Sequence, residues 1–247
     1  MHSLLISADS HITEAPDTYT AHIDRAWRDR APRLESTERE GDVFRIDGME
    51  RPIHLGLVAA AGKPAEHITM AGVKFEELHR GGWDPDARLA DQDRDGVAAE
   101  IIYPTVGMLL CNHPDFDYKA ACFQAYNRWI ADYCSRHPTR LLGCGQTAGR
   151  SPAEMIEDFR RIKALGLRGV MMPGNPAIED YDSRLYDPVW EAAIELELPL
   201  SFHILTTRDN ARVRGPRINM FLSIIRGNQD IIGTLIFGGV FQRHPRL

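Results

Sequence analysis

The fold is decided by the stretch Asp84-Pro-Asp-Ala-Arg-Leu-Ala-Asp-Gln-Asp-Arg-Asp-Gly-Val-Ala-Ala-Glu-Ile-Ile-Tyr-Pro104. Asp84 is a helix cap, because its short carboxylate can accept the backbone N–H groups that a first turn leaves unsatisfied. Pro85 suits the first helical position, where no N–H is needed and φ is already helical. Gly96 closes the helix, being the residue that turns left-handed at least cost. Glu100-Ile-Ile-Tyr103 then reads as a short strand of the buried type, ended by Pro104.

The same alternation continues in both directions. A long helix is predicted over Tyr118–His137, with apolar residues at Ala121, Phe123, Tyr126, Trp129, Ile130 and Tyr133. Leu141–Gly143 is a third strand. Ser151-Pro-Ala-Glu154 is a capping box with Pro at the first helical position, and its helix runs to Gly166. Gly169–Met172 is a fourth strand, Leu185–Glu197 a helix, and Pro199–His203 a fifth strand. A last helical stretch covers about Arg217 to Phe241, with a break expected at Gly227-Asn228. Upstream, Leu4–Ser7 is the first strand. Strands that alternate with helices form a parallel sheet, and nearly all-apolar strands are expected where both faces are covered. Residues 15–83 differ. They are charged, and Asp47-Gly48 between Val43–Ile46 and Ile53–Leu55 predicts a β-hairpin in an insertion or cap. The expectation is one domain over residues 1–247 carrying that insertion.

Composition narrows the function classes. Of 247 residues, 35 are Asp or Glu and 29 Lys or Arg, giving a net charge of -6. An acidic chain without a basic stripe argues against a nucleic-acid surface. The densest basic run, Arg25–Arg30, is interleaved with Trp27 and Asp29 and reads as a solvated helix face. The longest mainly apolar stretch, Ile231 to Phe241, is shorter than the roughly 20 residues a membrane span needs. The N-terminus has no basic segment and too short an apolar run for a signal peptide. Cys111, Cys122, Cys134 and Cys144 form no C-x-x-C pair, which suggests free thiols in a reducing cytoplasm.

Three residues carry the strongest chemical suggestion. Asp9 and His11 follow the first strand at i and i+2, so on an extended segment they point the same way. A carboxylate and an imidazole together suit zinc or a related divalent ion. Carboxyl ends of strands are where parallel α/β folds build sites. The alternative is a loop turn, since D-x-H recurs by chance. His203 ends the fifth strand, and a lone His there could equally be a core residue bonded to backbone. Its place at the carboxyl end of a strand, like Asp9 and His11, favours a common site. Thr105 and Asn175, just past the second and fourth strands, are candidate substrate contacts, with loop polarity as the other explanation. Glu14 either orients a ligand from behind or is a surface loop acid.

Other motifs fall away. Gly143-Cys-Gly145-Gln-Thr-Ala-Gly149 resembles a dinucleotide loop, but its helix begins after the glycines end, and Glu157 and Asp158 lie inside that helix. His113, His137 and His244 each precede Pro and read as structural. H-E-x-x-H, G-x-S-x-G and a P-loop are absent from the sequence.

Taken together, Asp9-Ser-His-Ile-Thr-Glu14, Asp91–Val97, Tyr126-Asn-Arg-Trp129, Gly166–Val170, Tyr186–Glu191, Leu198–His203 and Gly238–Pro245 resemble an amidohydrolase-related family. That family includes aminocarboxymuconate semialdehyde decarboxylase and γ-resorcylate decarboxylase. The resemblance spans almost the whole chain in family order. It implies a (β/α)8 TIM barrel of the metal-dependent hydrolase type, with Asp9, His11 and His203 as metal ligands. It further implies zinc, or alternatively manganese, and a homo-oligomer. The implied activity is decarboxylation of a small unsaturated or aromatic carboxylic acid. Hydrolysis or hydration in the same site is the nearest alternative, and an inactive binding or oligomeric partner is an alternative of another class. Family chains continue into a sixth strand with a catalytic His and a later Asp, whereas this sequence stops at Leu247. The expectation is therefore a barrel truncated after about five strands, its catalytic Asp and His lying beyond Leu247.

Overall fold

The structure is a computed structural model that describes residues 4–58, 60–207 and 215–247. In chain order the elements begin with strand β1 (Leu5–His11) and helix α1 (Thr18–His22), then β2 (Arg33–Thr37), β3 (Gly41–Arg45), β4 (Ile53–His54) and α2 (Leu55–Val58). They continue with α3 (Pro85–Asp95), β5 (Val97–Tyr103), α4 (Val106–Leu110), α5 (Phe116–Ser135), β6 (Leu141–Gln146) and α6 (Pro152–Ala164). The last are β7 (Gly169–Met172), α7 (Asp187–Glu195), β8 (Leu200–Phe202), α8 (Met220–Phe237) and α9 (Val240–Arg243).

The five barrel-type strands hydrogen-bond in the order β1-β5-β6-β7-β8. The pairs β1–β5, β5–β6 and β7–β8 are parallel, with Glu100 opposite Leu141 and Val170 opposite Leu200. This is the strand–helix alternation of a (β/α) barrel, five strands of it, as the sequence predicts. α3 starts where Asp84 accepts from the N–H groups of Asp86 and Ala87, and it stops at Gly96 with φ 71°. α6 starts where the Ser151 hydroxyl accepts from Glu154 N–H.

The chain divides into two compact units, Met1–Gly107 with Gln124–Cys144, and Met108–Phe123 with Gly145–Leu247. The first unit holds β1, β5 and most of β6, and packs Ile12, Tyr19, Val43, Phe44, Ile102, Tyr126 and Ile130 at 0–1% exposure. It also contains residues 15–83. There β3 pairs with β4 as the Asp47-Gly48 turn predicts, and also with β2, a strand the sequence reading does not contain. The second unit holds β7 and β8. Its interior is built on Phe159, Ile162, Met171, Val189 and an aromatic group in which the Tyr181 ring lies 5.2 Å from Tyr186, 5.7 Å from Trp190 and 5.2 Å from Phe202.

Three expectations change. β1 extends through His11, so Asp9 and His11 lie within the strand, not beyond it. β1 is also not buried on both faces: Leu5 is 57% and Ile6 55% exposed, because β1 ends the strand order and among the described residues pairs only with β5. The last helix runs through Gly227-Asn228 without a break and ends at Gly238-Gly239, where Gly239 has φ 72°. Gly227 is tolerated there because the Thr207 side chain fills the space a Cβ would need, 2.5 Å away.

Candidate metal centre

Asp9 and His11 project from one face of β1, as their spacing requires, with Asp9 Oδ1 3.5 Å from His11 Nε2. The His11 ring is oriented by its other nitrogen: Nδ1 lies 3.0 Å from the carbonyl oxygen of Pro104. A carbonyl only accepts, so Nδ1 carries a proton, and in the neutral ring the lone pair falls on Nε2, on the Asp9 side. An imidazole fixed through one nitrogen, with a carboxylate beside the other, is the arrangement of a metal-ligating histidine. The donor chemistry of the pair therefore fits a divalent cation.

The end of β1 is tied to the end of β5 by several bonds. Ile12 N–H donates to Tyr103 O at 3.0 Å, and the Thr105 hydroxyl donates to Ile12 O at 2.7 Å. Arg88 Nη1 donates to the His11 carbonyl at 3.0 Å while its guanidinium pairs with Glu100. Glu14 is fully buried, which excludes the surface-acid reading, and its Oε1 accepts from the N–H groups of Thr105 at 3.0 Å and Val106 at 2.9 Å. Burial pushes the Glu14 carboxyl up to about 7, against the opposing pull of those N–H bonds. Thr105 is 4% exposed, with its hydroxyl committed to Ile12.

In the second unit, His203 directly follows β8 and is partly exposed. Its Nδ1 lies 3.1 Å from Ile204 O, so this nitrogen likewise donates, leaving Nε2 as the atom that could bind a cation. The loop beyond it is held firmly. Thr206 hydroxyl donates to His203 O at 2.7 Å, and Asn112 Nδ2 donates to Leu205 O at 2.8 Å. Leu205 has φ 67°, a left-handed conformation that a branched residue adopts only under constraint, and such strain concentrates at functional sites. Asn175 follows β7 with an exposed side chain.

A cavity of 590 Å³ in this unit is lined by Trp190, Ile194, Leu198, Phe202, Leu235 and Phe241, among others. Its walls are mostly apolar, with Glu197 and Arg246 as their charged members, and include neither His203 nor Asn175. His244 is structural, as expected: it is 6% exposed, with Nδ1 against Glu191 and Nε2 3.0 Å from Asp187.

Two contributors are missing from the sequence reading, Arg88 and the Pro104 carbonyl. A signal for the first exists. Glu100 is a carboxylate inside an otherwise apolar strand, and a charge so placed demands a cation close by.

The fold and the β1 site define a class. An amidohydrolase family model matches residues 53–247, and the chain belongs to that family. It is 27% identical over 177 residues to 2-amino-3-carboxymuconate-6-semialdehyde decarboxylase of Dictyostelium discoideum, covering 71% of this chain and 49% of that protein. The chain thus spans about half the length of this curated relative. An amidohydrolase from Mycobacterium avium subsp. paratuberculosis matches with TM-score 0.74 at 21% identity, over 100% of this chain and 72% of that one. A 5-carboxyvanillate decarboxylase from Novosphingobium aromaticivorans, solved with manganese and a nitrobenzoic acid, matches with TM-score 0.65 at 21% identity, over 100% of this chain and 64% of that one. Among the described residues, no helix is long and apolar enough to cross a membrane.

Proposed function

We propose that the protein is a metal-dependent decarboxylase of a small unsaturated or aromatic carboxylic acid, with Asp9, His11 and His203 holding a divalent cation. The observation that carries this reading is the His11 ring, locked by Pro104 with its lone pair beside the Asp9 carboxylate. The decarboxylases among its relatives supply the reaction class. One carboxylate and two imidazoles suit zinc or manganese, and the manganese in the 5-carboxyvanillate enzyme makes manganese the first ion to test. When bound, the cation supplies Lewis-acid polarisation of substrate oxygens.

The chain's own residues do the holding and positioning. His11 and His203 keep their protons on Nδ1 and present Nε2, and Asp9 contributes negative charge that offsets a cation. Asn175 borders the substrate through its exposed amide, and Thr105 does so indirectly by holding the turn after β5. The same reading includes homo-oligomerisation and excludes nucleic-acid and membrane partners, in keeping with the net charge of -6. A reducing cytoplasmic setting is supported by four buried cysteines that form no disulfide.

The test is elemental analysis of the purified protein, with CO2 release measured on hydroxylated benzoic and muconic-type acids. Near-stoichiometric metal that is lost in Asp9→Ala/His11→Ala and in His203→Ala, together with CO2 release, supports the reading. Water incorporation into product without CO2 release would assign hydrolysis to the site. Absence of metal uptake after supplementation would overturn the reading.

A further inference from the structure

We propose that Glu14 is a positioning residue for the His11 imidazole, acting through the Pro104–Thr105 peptide and the start of α4, which follow β5. The inference rests on the reading of His11 as a metal ligand. The connection is covalent geometry. The Pro104 carbonyl and the Thr105 N–H belong to one peptide group, which is planar and trans, so they point in opposite directions along one rigid plate. Glu14 Oε1 holds the N–H side of that plate at 3.0 Å, and His11 Nδ1 meets its carbonyl side at 3.0 Å. The same oxygen accepts from Val106 at 2.9 Å and Gly107 at 3.4 Å, and Thr105 hydroxyl binds Ile12 O at 2.7 Å, so the plate has little freedom to rotate.

Removing the Glu14 acceptor leaves buried N–H groups without a partner, and such groups reorient to find one. Rotation of the plate carries the Pro104 oxygen away from Nδ1. The imidazole then loses the acceptor that keeps its proton on Nδ1, and the Nε2 lone pair is no longer assured. Glu14 is held in place by its own burial, with Oε2 enclosed and unpartnered, so its reach is fixed from behind. Glutamine retains the accepting oxygen at the same reach, whereas alanine removes it.

The experiment uses the full chain, metal-free, with 15N-labelled histidine, and reads the ring tautomer of His11 by NMR, assigned through His11→Ala. Mn2+ affinity is then measured on the same samples. Glu14→Ala is expected to lose the Nδ1–H tautomer and to weaken Mn2+ binding by roughly 10–100-fold, as loss of a residue that orients a ligand does. Glu14→Gln is expected to retain both. Phe159→Leu, a destabilising change in the other unit, is expected to move neither. Retention of the Nδ1–H tautomer in Glu14→Ala, or an equal shift in Phe159→Leu, overturns the proposal. If Glu14→Ala cannot be purified, Glu14→Asp, one methylene too short to reach the plate, carries the same comparison. Failure of the wild-type chain to bind Mn2+ counts against the metal reading, while the tautomer comparison still decides the role of Glu14.

Discussion

Arg88 donates to the backbone carbonyl of His11 at 3.0 Å, so the residue whose ring is fixed by Pro104 is also fixed through its main chain. Arg88 and Glu100 form an ion pair with side chains 9% and 15% exposed. Removing one member strands the other charge in the interior. Arg88→Met is therefore expected to cost about 3–5 kcal/mol in denaturant unfolding. The double change Arg88→Met/Glu100→Leu should cost clearly less than Arg88→Met alone, and equal costs would mean that the pair is solvated.

Glu14 gives the stability a definite pH dependence. Burial pushes its carboxyl up to about 7 in the folded chain from an ordinary 4.5, so in this window the folded state binds the proton more tightly than the unfolded state. Stability is then highest below the unfolded value and falls as pH rises towards about 7, by on the order of 3 kcal/mol for this group. Asp158, raised from 3.8 to about 6 by burial, acts with the same sign at lower pH. In metal-free protein, Glu14→Gln should flatten the fall between about pH 5 and pH 7. Parallel curves for the two proteins would show that Glu14 ionises normally.

Gly145 is a packing glycine. A Cβ there would lie 2.7 Å from Ile162 Cγ1 and 2.9 Å from its Cδ1. Gly145→Ala is expected to destabilise by about 1–3 kcal/mol through overpacking. Ile162→Val removes the Cδ1 atom, so the double mutant should cost less than the two singles added. Strict additivity would show that the contact relaxes elsewhere.

His203, the ligand proposed from the second unit, makes a separate case. Asn112 holds the carbonyl of the left-handed Leu205, two residues beyond His203. Asn112→Ala should weaken Mn2+ uptake in calorimetry by roughly 10-fold, as loss of an outer supporting bond does. Unchanged affinity would show that the loop keeps its shape without that bond.

The thiols offer a simple check on the packing. Burial pushes Cys111, Cys134 and Cys144 up to about 12, which suppresses the reactive thiolate. A disulfide reagent should label them only after unfolding, and rapid labelling of the native chain would contradict their burial.

Much of this was legible in the residues. Asp84, Pro85 and Gly96 fix a helix by local chemistry alone, and Ser151-Pro152 does the same for the next, so the alternation needs no tertiary knowledge. The i, i+2 spacing likewise carried the geometry of Asp9 and His11. β2 escaped notice because Arg33–Thr37 is mostly polar and its strand character comes from pairing with β3. The exposure of β1 escaped too, since an apolar run does not reveal whether it lies at the end of a strand order. The support of His11 was the hardest to see. It comes from a backbone carbonyl and an arginine 77 positions away in sequence, and neither leaves a local pattern.

The cradle around Glu14 also has a kinetic consequence. The amide protons of Thr105 and Val106 lie past the end of β5, at the start of α4, where amides without an intrahelical acceptor ordinarily exchange with solvent through small local openings. Here an opening must also withdraw a carboxyl from the interior. Their exchange should therefore follow the larger cooperative opening of the β1–β5 pair, and the turn that aims the Pro104 oxygen behaves kinetically as an extension of the sheet.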